Sequence, residues 1–215
     1  MASLGVTETP DQEPAPGQSY EGQAPTTFAE LRRLWEADLY RLEGQTSAAA
    51  HVKHFLLTPG FAYMFYLRLS VYLSAKRGAG RLAYFAARVL LRRQTYRLGI
   101  IIPYDTQIGP GFYIGHFGEI VVNADVRIGR NCNISQGVTL GLKARGKNAG
   151  SPVIGDNVYI GPGAKVIGGV RVGDNVAIGA NCVVTSDVPD NAVVVGVPGR
   201  VISSAGSEGY INYAV

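Results

Sequence analysis

Aliphatic residues recur at every sixth position through the second half of the chain. A period of six cannot belong to an amphipathic helix, whose period is 3.6, and it is too short for any helical repeat unit. Three hexads can instead form one triangular coil of parallel strands, with the aliphatic residue inward and tight bends at the glycines that often follow it. We therefore predict a mainly β fold, a parallel β-helix, over residues 101–203. The unbroken runs are Ile102, Ile108 and Ile114, then Val122, Ile128, Ile134 and Leu140, then Ile154, Ile160, Val166, Val172, Ile178 and Val184.

Three further segments surround the repeat. A Pro-, Gly-, Gln- and acid-rich segment has too few apolar side chains to offset the entropy of ordering, so we expect a disordered tail. An N-terminal α-helical appendage follows, with a first helix near Thr27, which has Glu30 at capping-box spacing, and two more helical patterns between Pro59 and Arg97. A short C-terminal tail ends the chain. In order, the tail, the appendage and the second tail cover residues 1–25, 26–100 and 204–215.

Charge is distributed unevenly along the chain. Residues 51–100 hold nine Lys and Arg side chains and no Asp or Glu, although the formal net charge of the whole chain is +4. Such a segment either lies on an anionic membrane surface or packs as an appendage with a solvated basic face. It has no nucleic-acid-binding motif beyond its charge, so no nucleic-acid partner is expected. The interleaved residues are Arg68, Lys76, Arg77, Arg81, Arg88, Arg92, Arg93 and Arg97 with Phe61, Tyr63, Phe65, Tyr66, Tyr72 and Tyr84.

The location of the chain is inferred from its N-terminus and its cysteines. The start MASLGVTETP lacks the features of a secretory signal, and no uninterrupted apolar run reaches membrane-spanning length. Cys132 and Cys182 form neither a disulfide framework nor a zinc pattern, and both occupy a hexad position typical of core residues. We expect a cytoplasmic protein, with peripheral contact at the inner face of the membrane as an alternative.

The repeat resembles the hexapeptide acyltransferases from about Ile101 to Ile202. Within that superfamily, the segments GHFGEIVVNADVRIGRNCNISQGVTLG, LKARGKNAGSP and NAVVVGVPGRVI are similar to the serine acetyltransferase branch. The resemblance implies a left-handed β-helix, a cytoplasmic homotrimer and acyl-CoA, in particular acetyl-CoA, bound in the groove between neighbouring coils. Some hexapeptide proteins have other functions, so the chemistry must be argued from the site.

The regular step of six fails between Ile114 and Val122, and His116 lies in this break. Its position matches the catalytic histidine of serine acetyltransferases. An imidazole can take a hydroxyl proton near neutral pH while that oxygen attacks a thioester carbonyl, and a backbone N–H of a nearby turn can hold the oxyanion. The coil region offers no second histidine, so no metal site is predicted. His51 and His54, outside the repeat, are interpreted as surface or satisfied core residues.

The second break lies between Leu140 and Ile154, and it inserts a loop with three cations. By resemblance this loop extends from the coil beside the acyl-CoA groove, where Lys143, Arg145 and Lys147 can help hold the CoA phosphates; a solvated basic loop is the alternative. The resemblance also implies an acetyl-CoA-binding set whose other members contact the pantetheine arm. With Lys143, that set is Gly141, Leu142, Gly161, Pro162 and Ala180.

The residues around the acceptor depart from the serine acetyltransferase pattern. The aspartate that orients the catalytic histidine in that branch is replaced by Ile101, and either Asp105 or Glu119 is a candidate substitute. The charged residues that recognise serine are replaced by Gly115, Gly150 and Ser151, which we take as the acceptor pocket. A zwitterion needs charged partners in a buried site, so an uncharged hydroxyl compound is favoured as the acceptor.

Three functions are compatible with these patterns. The first is O-acetyl transfer from acetyl-CoA to a small-molecule or lipid-linked saccharide of exopolysaccharide or capsule biosynthesis, with His116 as general base. The second is serine O-acetylation in cysteine biosynthesis. The third, from another class, is a non-catalytic trimeric scaffold. The branch often binds a partner sulfhydrylase through a terminal isoleucine, and the ending GSEGYINYAV does not match that pattern.

Overall fold

A computed structural model describes residues 24–215 of the chain. Most of the predicted N-terminal tail, residues 1–23, lies outside the described residues. Four helices come first, α1 to α4, and they span Phe28–Glu43, Ala48–Leu57, Pro59–Ser74 and Ala79–Leu98. Fifteen short strands follow, β1 to β15: Ile100–Ile101, Gln107–Ile108, Tyr113–Ile114, Ile120–Val122, Arg127–Ile128, Asn133–Ile134, Thr139–Gly141, Val153–Ile154, Tyr159–Ile160, Lys165–Ile167, Arg171–Val172, Ala177–Ile178, Val183–Val184, Val193–Val195 and Arg200–Ser203.

The strands form three parallel sheets around one core, and the fold is a left-handed parallel β-helix. Each strand from β1 to β10 pairs with the strand three places further along the chain, so that three strands complete one coil; β12 then pairs with β14, and β15 pairs antiparallel with β14. We name the sheets A, B and C after the first, second and third strand of each coil. All thirteen aliphatic positions of the hexad pattern are buried, with at most 6% of any side chain exposed. The predicted fold class is therefore confirmed, and so is the core placement of Cys132 and Cys182, which are fully buried.

Asparagine side chains form a ladder along the corner between sheets B and C. Asn131 donates to Asn157 at 3.0 Å, Asn157 to Asn175 at 3.0 Å, and Asn175 to Asn191 at 3.2 Å. All four residues have a positive φ, between 54° and 59°. Asparagine tolerates this left-handed conformation better than other non-glycine residues do. The ladder thus joins successive coils at the point where each turns its corner.

The ladder predicts that the variant Asn157→Gly is more stable than the variant Asn157→Ala. Asn157→Gly removes the side-chain hydrogen bonds but keeps the left-handed backbone accessible, and should cost about 1–2 kcal/mol of unfolding free energy. Asn157→Ala loses the same bonds and adds the steric cost of a Cβ in that region, about 1 kcal/mol more. Guanidinium unfolding at fixed protein concentration measures both. An alanine variant as stable as the glycine variant would contradict the proposed role of the backbone.

The first helix of the appendage begins where the sequence predicts, and the structure contains one helix more than predicted. Thr27 caps α1, its hydroxyl accepts the Glu30 N–H, and the Glu30 carboxylate accepts the Thr27 N–H, which completes the capping box. Helix α2, Ala48–Leu57, is additional to the three predicted helical patterns, because its apolar residues follow no clear helical period. Ser47 caps α2 by accepting the Ala50 N–H. Among residues 24–215, no helix is both long and apolar enough to cross a membrane.

Side chains from the helices satisfy the free backbone edge of the first coil. The Tyr63 hydroxyl donates to the Ile102 carbonyl and accepts the Ile102 N–H, both at 3.2 Å. Arg68 donates to the carbonyls of Ile108 and Gly109 at 3.3 and 2.8 Å. Buried backbone groups are costly without partners, so these bonds close an edge that would otherwise be unpaired.

Two more buried charged residues complete this closure. Asp38 accepts the Phe112 N–H at 3.0 Å, and it also forms a buried ion pair with Arg68 at 2.6 and 2.9 Å. Arg41 donates to the Gly111 carbonyl at 3.2 Å. The appendage is therefore joined to the coils by a polar network as well as by apolar packing. We call the closure by Tyr63, Arg68, Asp38 and Arg41 the helical cap.

The segment after β15 returns along the outside of sheet C instead of leaving the molecule. The Ser207 hydroxyl donates to the Asn157 carbonyl at 2.6 Å, and the Tyr210 ring stacks on Tyr159 with centroids 4.4 Å apart. At its end, the Val215 N–H donates to Asn131 at 3.0 Å. The Ser207 N–H also donates to the Asn175 carbonyl at 3.0 Å, so residues 204–215, predicted as a tail, lie against the second, third and fourth coils and cover part of sheet C.

Candidate active site

His116 lies in the turn between β3 and β4, at the corner from sheet C to sheet A. The step across this corner is eight residues, from Ile114 to Val122, so the turn is two residues longer than the regular hexad allows. Glycines on both sides shape it, and Gly118 has a φ of 112° that side-chain-bearing residues rarely adopt. The imidazole is exposed. A break in the repeat therefore presents a histidine to solvent on the rim of sheet A.

Neither candidate carboxylate is hydrogen-bonded to His116. Asp105 lies in the turn between β1 and β2, at the corner from sheet A to sheet B, so the width of sheet A separates it from the imidazole. Glu119 is in the same turn as His116 and has a φ of 54° and an exposed side chain. Ile101 points outward from β1 and is 53% exposed. Of the two, only Glu119 is near enough along the chain to orient the imidazole.

The turn also offers backbone donors. The Gly115 N–H donates to the Ile134 carbonyl at 3.2 Å. Within the described part of the chain, the N–H groups of His116, Phe117 and Gly118 donate to no backbone carbonyl. An N–H without a protein partner beside a histidine is the type of group that stabilises a developing oxyanion.

Three residues of the predicted acetyl-CoA set lie on the same corner as His116. Gly161 and Pro162 follow β9, and Ala180 follows β12, so they occupy the C-to-A corner in the third and fourth coils. Backbone hydrogen bonds join the coils there: Gly137 N–H to the Gly118 carbonyl at 2.8 Å, and Asn181 N–H to the Pro162 carbonyl at 2.8 Å. A continuous rim therefore runs from the His116 turn past these positions.

The other three residues, Gly141, Leu142 and Lys143, lie on the opposite edge of sheet A, where the loop between β7 and β8 begins. This loop is a short hairpin in which Lys143 and Gly150 exchange backbone hydrogen bonds at 2.9 Å in both directions. It does not extend freely from the coil. The Gly169 N–H donates to the Asn148 carbonyl at 2.9 Å, so the hairpin lies against the corner of the next coil.

The predicted acceptor pocket is divided between the two edges of sheet A. Gly115 precedes His116, whereas Gly150 packs against Gly169, and the Ser151 hydroxyl donates to Asn123 at 3.0 Å. Gly118 on one edge and Asn123 on the other are five residues apart along the chain. A strand rises about 3.3 Å per residue, so the two edges are roughly 15 Å apart. One chain therefore does not bring Gly150 and Ser151 to the histidine.

Lys165 lies beside the candidate site, and the hexad pattern alone does not single it out. It points outward from β10 in the middle of sheet A, is half-buried, and donates to the Gly137 carbonyl on the His116 rim. Its amine therefore lies on the same rim as Gly161, Pro162 and Ala180. The hexad phase predicts only that this side chain points outward, because one strand residue per hexad points inward.

The remaining histidines and cysteines belong to the structural framework. The His51 ring contacts the Ser47 carbonyl at 3.1 Å, and the His54 ring lies 3.2 Å from Glu43. Hydrogen bonds from Lys53 and His54 lower the pKa of Glu43 to about 2. Burial raises the pKa of the Cys132 thiol to about 12, so that it stays protonated near neutral pH. In residues 24–215, no group of three or more His, Cys, Asp or Glu is arranged to hold a metal ion.

Stacked hexads in three parallel sheets define the fold class of this protein as a hexapeptide-repeat β-helix. Comparisons with known proteins support this class. A family model described as bacterial transferase hexapeptide (six repeats) matches residues 151–186. A serine acetyltransferase from Bacillus pumilus is 40% identical over 128 residues, which are 60% of this chain and 59% of that protein. One from Bacillus subtilis is 41% identical over 125 residues, 58% of each chain. The chain is thus similar to serine acetyltransferases over somewhat more than half of its length, and it spans less than two thirds of these relatives.

Solved structures show a similar relation over a longer part of the chain. The Neisseria gonorrhoeae serine acetyltransferase in complex with serine covers 82% of this chain, with a TM-score of 0.64 and 29% identity, and 70% of that protein is matched. A serine acetyltransferase in complex with CoA covers 81% of this chain, with a TM-score of 0.66 and 28% identity, and 71% of that protein is matched. The matched region therefore extends beyond the coils into the helical appendage. No exopolysaccharide or capsule acetyltransferase is among these relatives, so the predicted assignment to that branch is not supported.

Proposed function

We propose that the protein is an O-acetyltransferase that moves an acetyl group from acetyl-CoA to a hydroxyl group, with His116 as general base. The observation that carries the proposal is the exposed histidine in the widened turn on the rim of sheet A, in line with Gly161, Pro162 and Ala180. Support comes from the serine acetyltransferase relatives and from the solved complex of one such enzyme with CoA.

In the proposed reaction, the His116 imidazole takes the proton of the acceptor hydroxyl while that oxygen attacks the thioester carbonyl carbon. The carbonyl oxygen becomes an oxyanion, and unpaired N–H groups of the 116–118 turn can stabilise it. The tetrahedral intermediate then collapses, the C–S bond breaks, and the imidazolium returns its proton to the CoA thiolate. A well-placed general base contributes roughly 10²- to 10⁴-fold to such a rate.

Serine is the acceptor that the relatives support best. The Neisseria gonorrhoeae structure holds serine, and the curated relatives are serine acetyltransferases. This supports our second candidate from sequence over the saccharide. The saccharide remains a second proposal because of one observation: Gly115, Gly150 and Ser151 bring no charge to pair with the carboxylate and ammonium of serine.

In this proposal a complete site requires a second copy of the chain, because within one chain the width of sheet A separates the His116 turn from the hairpin between β7 and β8. Sheet C is partly covered by residues 204–215, and sheet B presents Gln107, Arg127 and Arg171 to solvent. Sheet A instead presents a largely uncharged column that includes the exposed Ile101 and Val121. We propose a homotrimer formed through the sheet A edges, in the cytoplasm, where its buried thiols stay reduced.

An acceptor panel tests the proposed function. Purified protein is incubated with acetyl-CoA and either L-serine or neutral monosaccharides, and free CoA and acetylated products are measured. We expect L-serine to be acetylated with a kcat/KM at least about tenfold above that of any sugar, because a matched acceptor gains more binding energy in the transition state. The opposite order would select the saccharide. Absence of transfer to every acceptor would contradict the enzyme proposal and favour the scaffold.

A further inference from the structure

Helix α4 carries apolar side chains on two opposite sides. One side packs on the core through Ala87, Leu91 and Leu98. At about 100° per residue, a second row of apolar residues falls on the opposite side, and we call this row the α4 stripe. An exposed row of this kind marks an interaction surface, unlike isolated surface residues. Its members, with their exposed fractions, are Leu82 at 76%, Phe85 at 53%, Val89 at 68% and Tyr96 at 73%.

Arginines border the α4 stripe. Arg81, Arg92, Arg93 and Arg97 are exposed on the same helix, and residues 51–100 contain no Asp or Glu to neutralise them. The Arg92 guanidinium donates to the Tyr96 hydroxyl at 3.0 and 3.1 Å, so the charge and the apolar row form one surface. A second copy docking through the same stripe would oppose arginines with arginines. Charge complementarity therefore requires an anionic partner.

This surface differs from the basic aromatic face that the sequence suggested. Phe61 and Tyr63 are buried, and Arg68 is ion-paired inside the helical cap. Arg88 lies over the Tyr104 ring at 3.9 Å. These residues are therefore not available to a partner. The available surface consists of the α4 stripe and the exposed arginines of α4 that border it.

We propose that the α4 stripe binds the surface of an anionic lipid bilayer. Its apolar side chains enter the headgroup region, and the flanking arginines pair with lipid phosphates, as in helices that lie parallel to a membrane. Helix α4 ends beside the active-site turn, because the Gly99 carbonyl accepts the Ile120 N–H at 3.0 Å. The proposed lipid-contacting helix thus ends next to the His116 turn.

Vesicle co-sedimentation tests this proposal. The full-length protein is mixed with vesicles of phosphatidylcholine alone or of phosphatidylcholine with phosphatidylglycerol. We expect at least about tenfold more binding to the anionic vesicles, since each arginine near the surface adds roughly 1 kcal/mol. Binding should fall severalfold when salt is raised from about 0.1 to 1 M, where the Debye length shrinks from about 10 to 3 Å. Equal binding to both vesicles, or to neither, overturns the proposal.

Matched variants assign the binding to the stripe. The double variant Phe85→Ser/Val89→Ser should lose most of the binding to anionic vesicles while its acetyl transfer to a soluble acceptor stays unchanged. The control Leu57→Ser removes a more exposed apolar residue, 74% exposed, from α2, and should bind as the unaltered chain does. An equal loss in the control contradicts the assignment. A lower oligomeric mass of the double variant would show that the stripe joins copies of the chain, which also overturns the proposal.

Discussion

Replacing His116 by alanine is expected to lower kcat/KM for acetyl transfer by roughly 10²- to 10⁴-fold, because the acceptor hydroxyl loses the group that takes its proton. The loss should fall on kcat, since a base contributes mainly in the transition state. The KM for acetyl-CoA should change little. Because the imidazole is exposed, the free energy of unfolding should change by less than about 0.5 kcal/mol. Release of CoA, followed with a thiol reagent, measures the rate.

His51 provides the matched control for this variant. It lies in α2, outside the coils, and its ring contacts the Ser47 carbonyl and the Phe61 ring. His51→Ala should therefore transfer acetyl groups as fast as the unaltered chain. If His116→Ala also keeps its rate within about twofold, His116 is not the base.

Removing Arg68 is expected to cause the largest loss of stability, about 3–5 kcal/mol near neutral pH for Arg68→Met. The methionine fills a similar volume but leaves the Asp38 carboxylate buried without its counter-charge. It also leaves the carbonyls of Ile108 and Gly109 without their donor. Guanidinium unfolding at pH 7 measures the change. Arg32→Met is the control: its pair with Glu36 is exposed, so it should cost less than about 1 kcal/mol.

The loss in Arg68→Met should depend on pH. Burial raises the pKa of the Asp38 carboxyl, and the charge and hydrogen bonds of Arg68 oppose that rise. Without Arg68 the folded-state pKa rises further above the unfolded value of about 3.9. A carboxyl with a raised folded-state pKa favours the folded state below the unfolded pKa and loses that contribution as pH rises. The gap to the unaltered chain should therefore be smaller near pH 4 than at pH 7, and an equal gap would contradict this account.

The sequence predicts the coils well because their information is local and repeated. One inward residue per hexad determines the register, and every predicted aliphatic position is buried. The two breaks in the repeat also fall where the structure has a widened turn and a hairpin. The capping box of α1 is equally local, since Thr27 and Glu30 are three residues apart.

The features that the sequence did not reveal depend on distant pairs. The Asp38–Arg68 ion pair joins residues 30 apart, and the bond between Val215 and Asn131 joins residues 84 apart. A charge count treats Arg68 as part of a basic surface, because nothing in its neighbours shows that an acid on another helix is its partner. The candidate site is incomplete for a related reason: no local pattern in a single chain shows which edges of two copies meet.

The helical cap has a consequence for how copies of this chain can assemble. A stack of parallel strands normally ends in open edges that can accept another chain, and repeat proteins need terminal caps to prevent this. Here the first coil is sealed by Tyr63, Arg68, Asp38 and Arg41, and at the other end β15 pairs antiparallel with β14. End-to-end growth into filaments is thereby blocked at the first coil, and at the last coil the antiparallel β15 breaks the parallel pairing that another stack would have to continue. Association is directed sideways, toward closed assemblies of limited size, where the rims of neighbouring chains can meet.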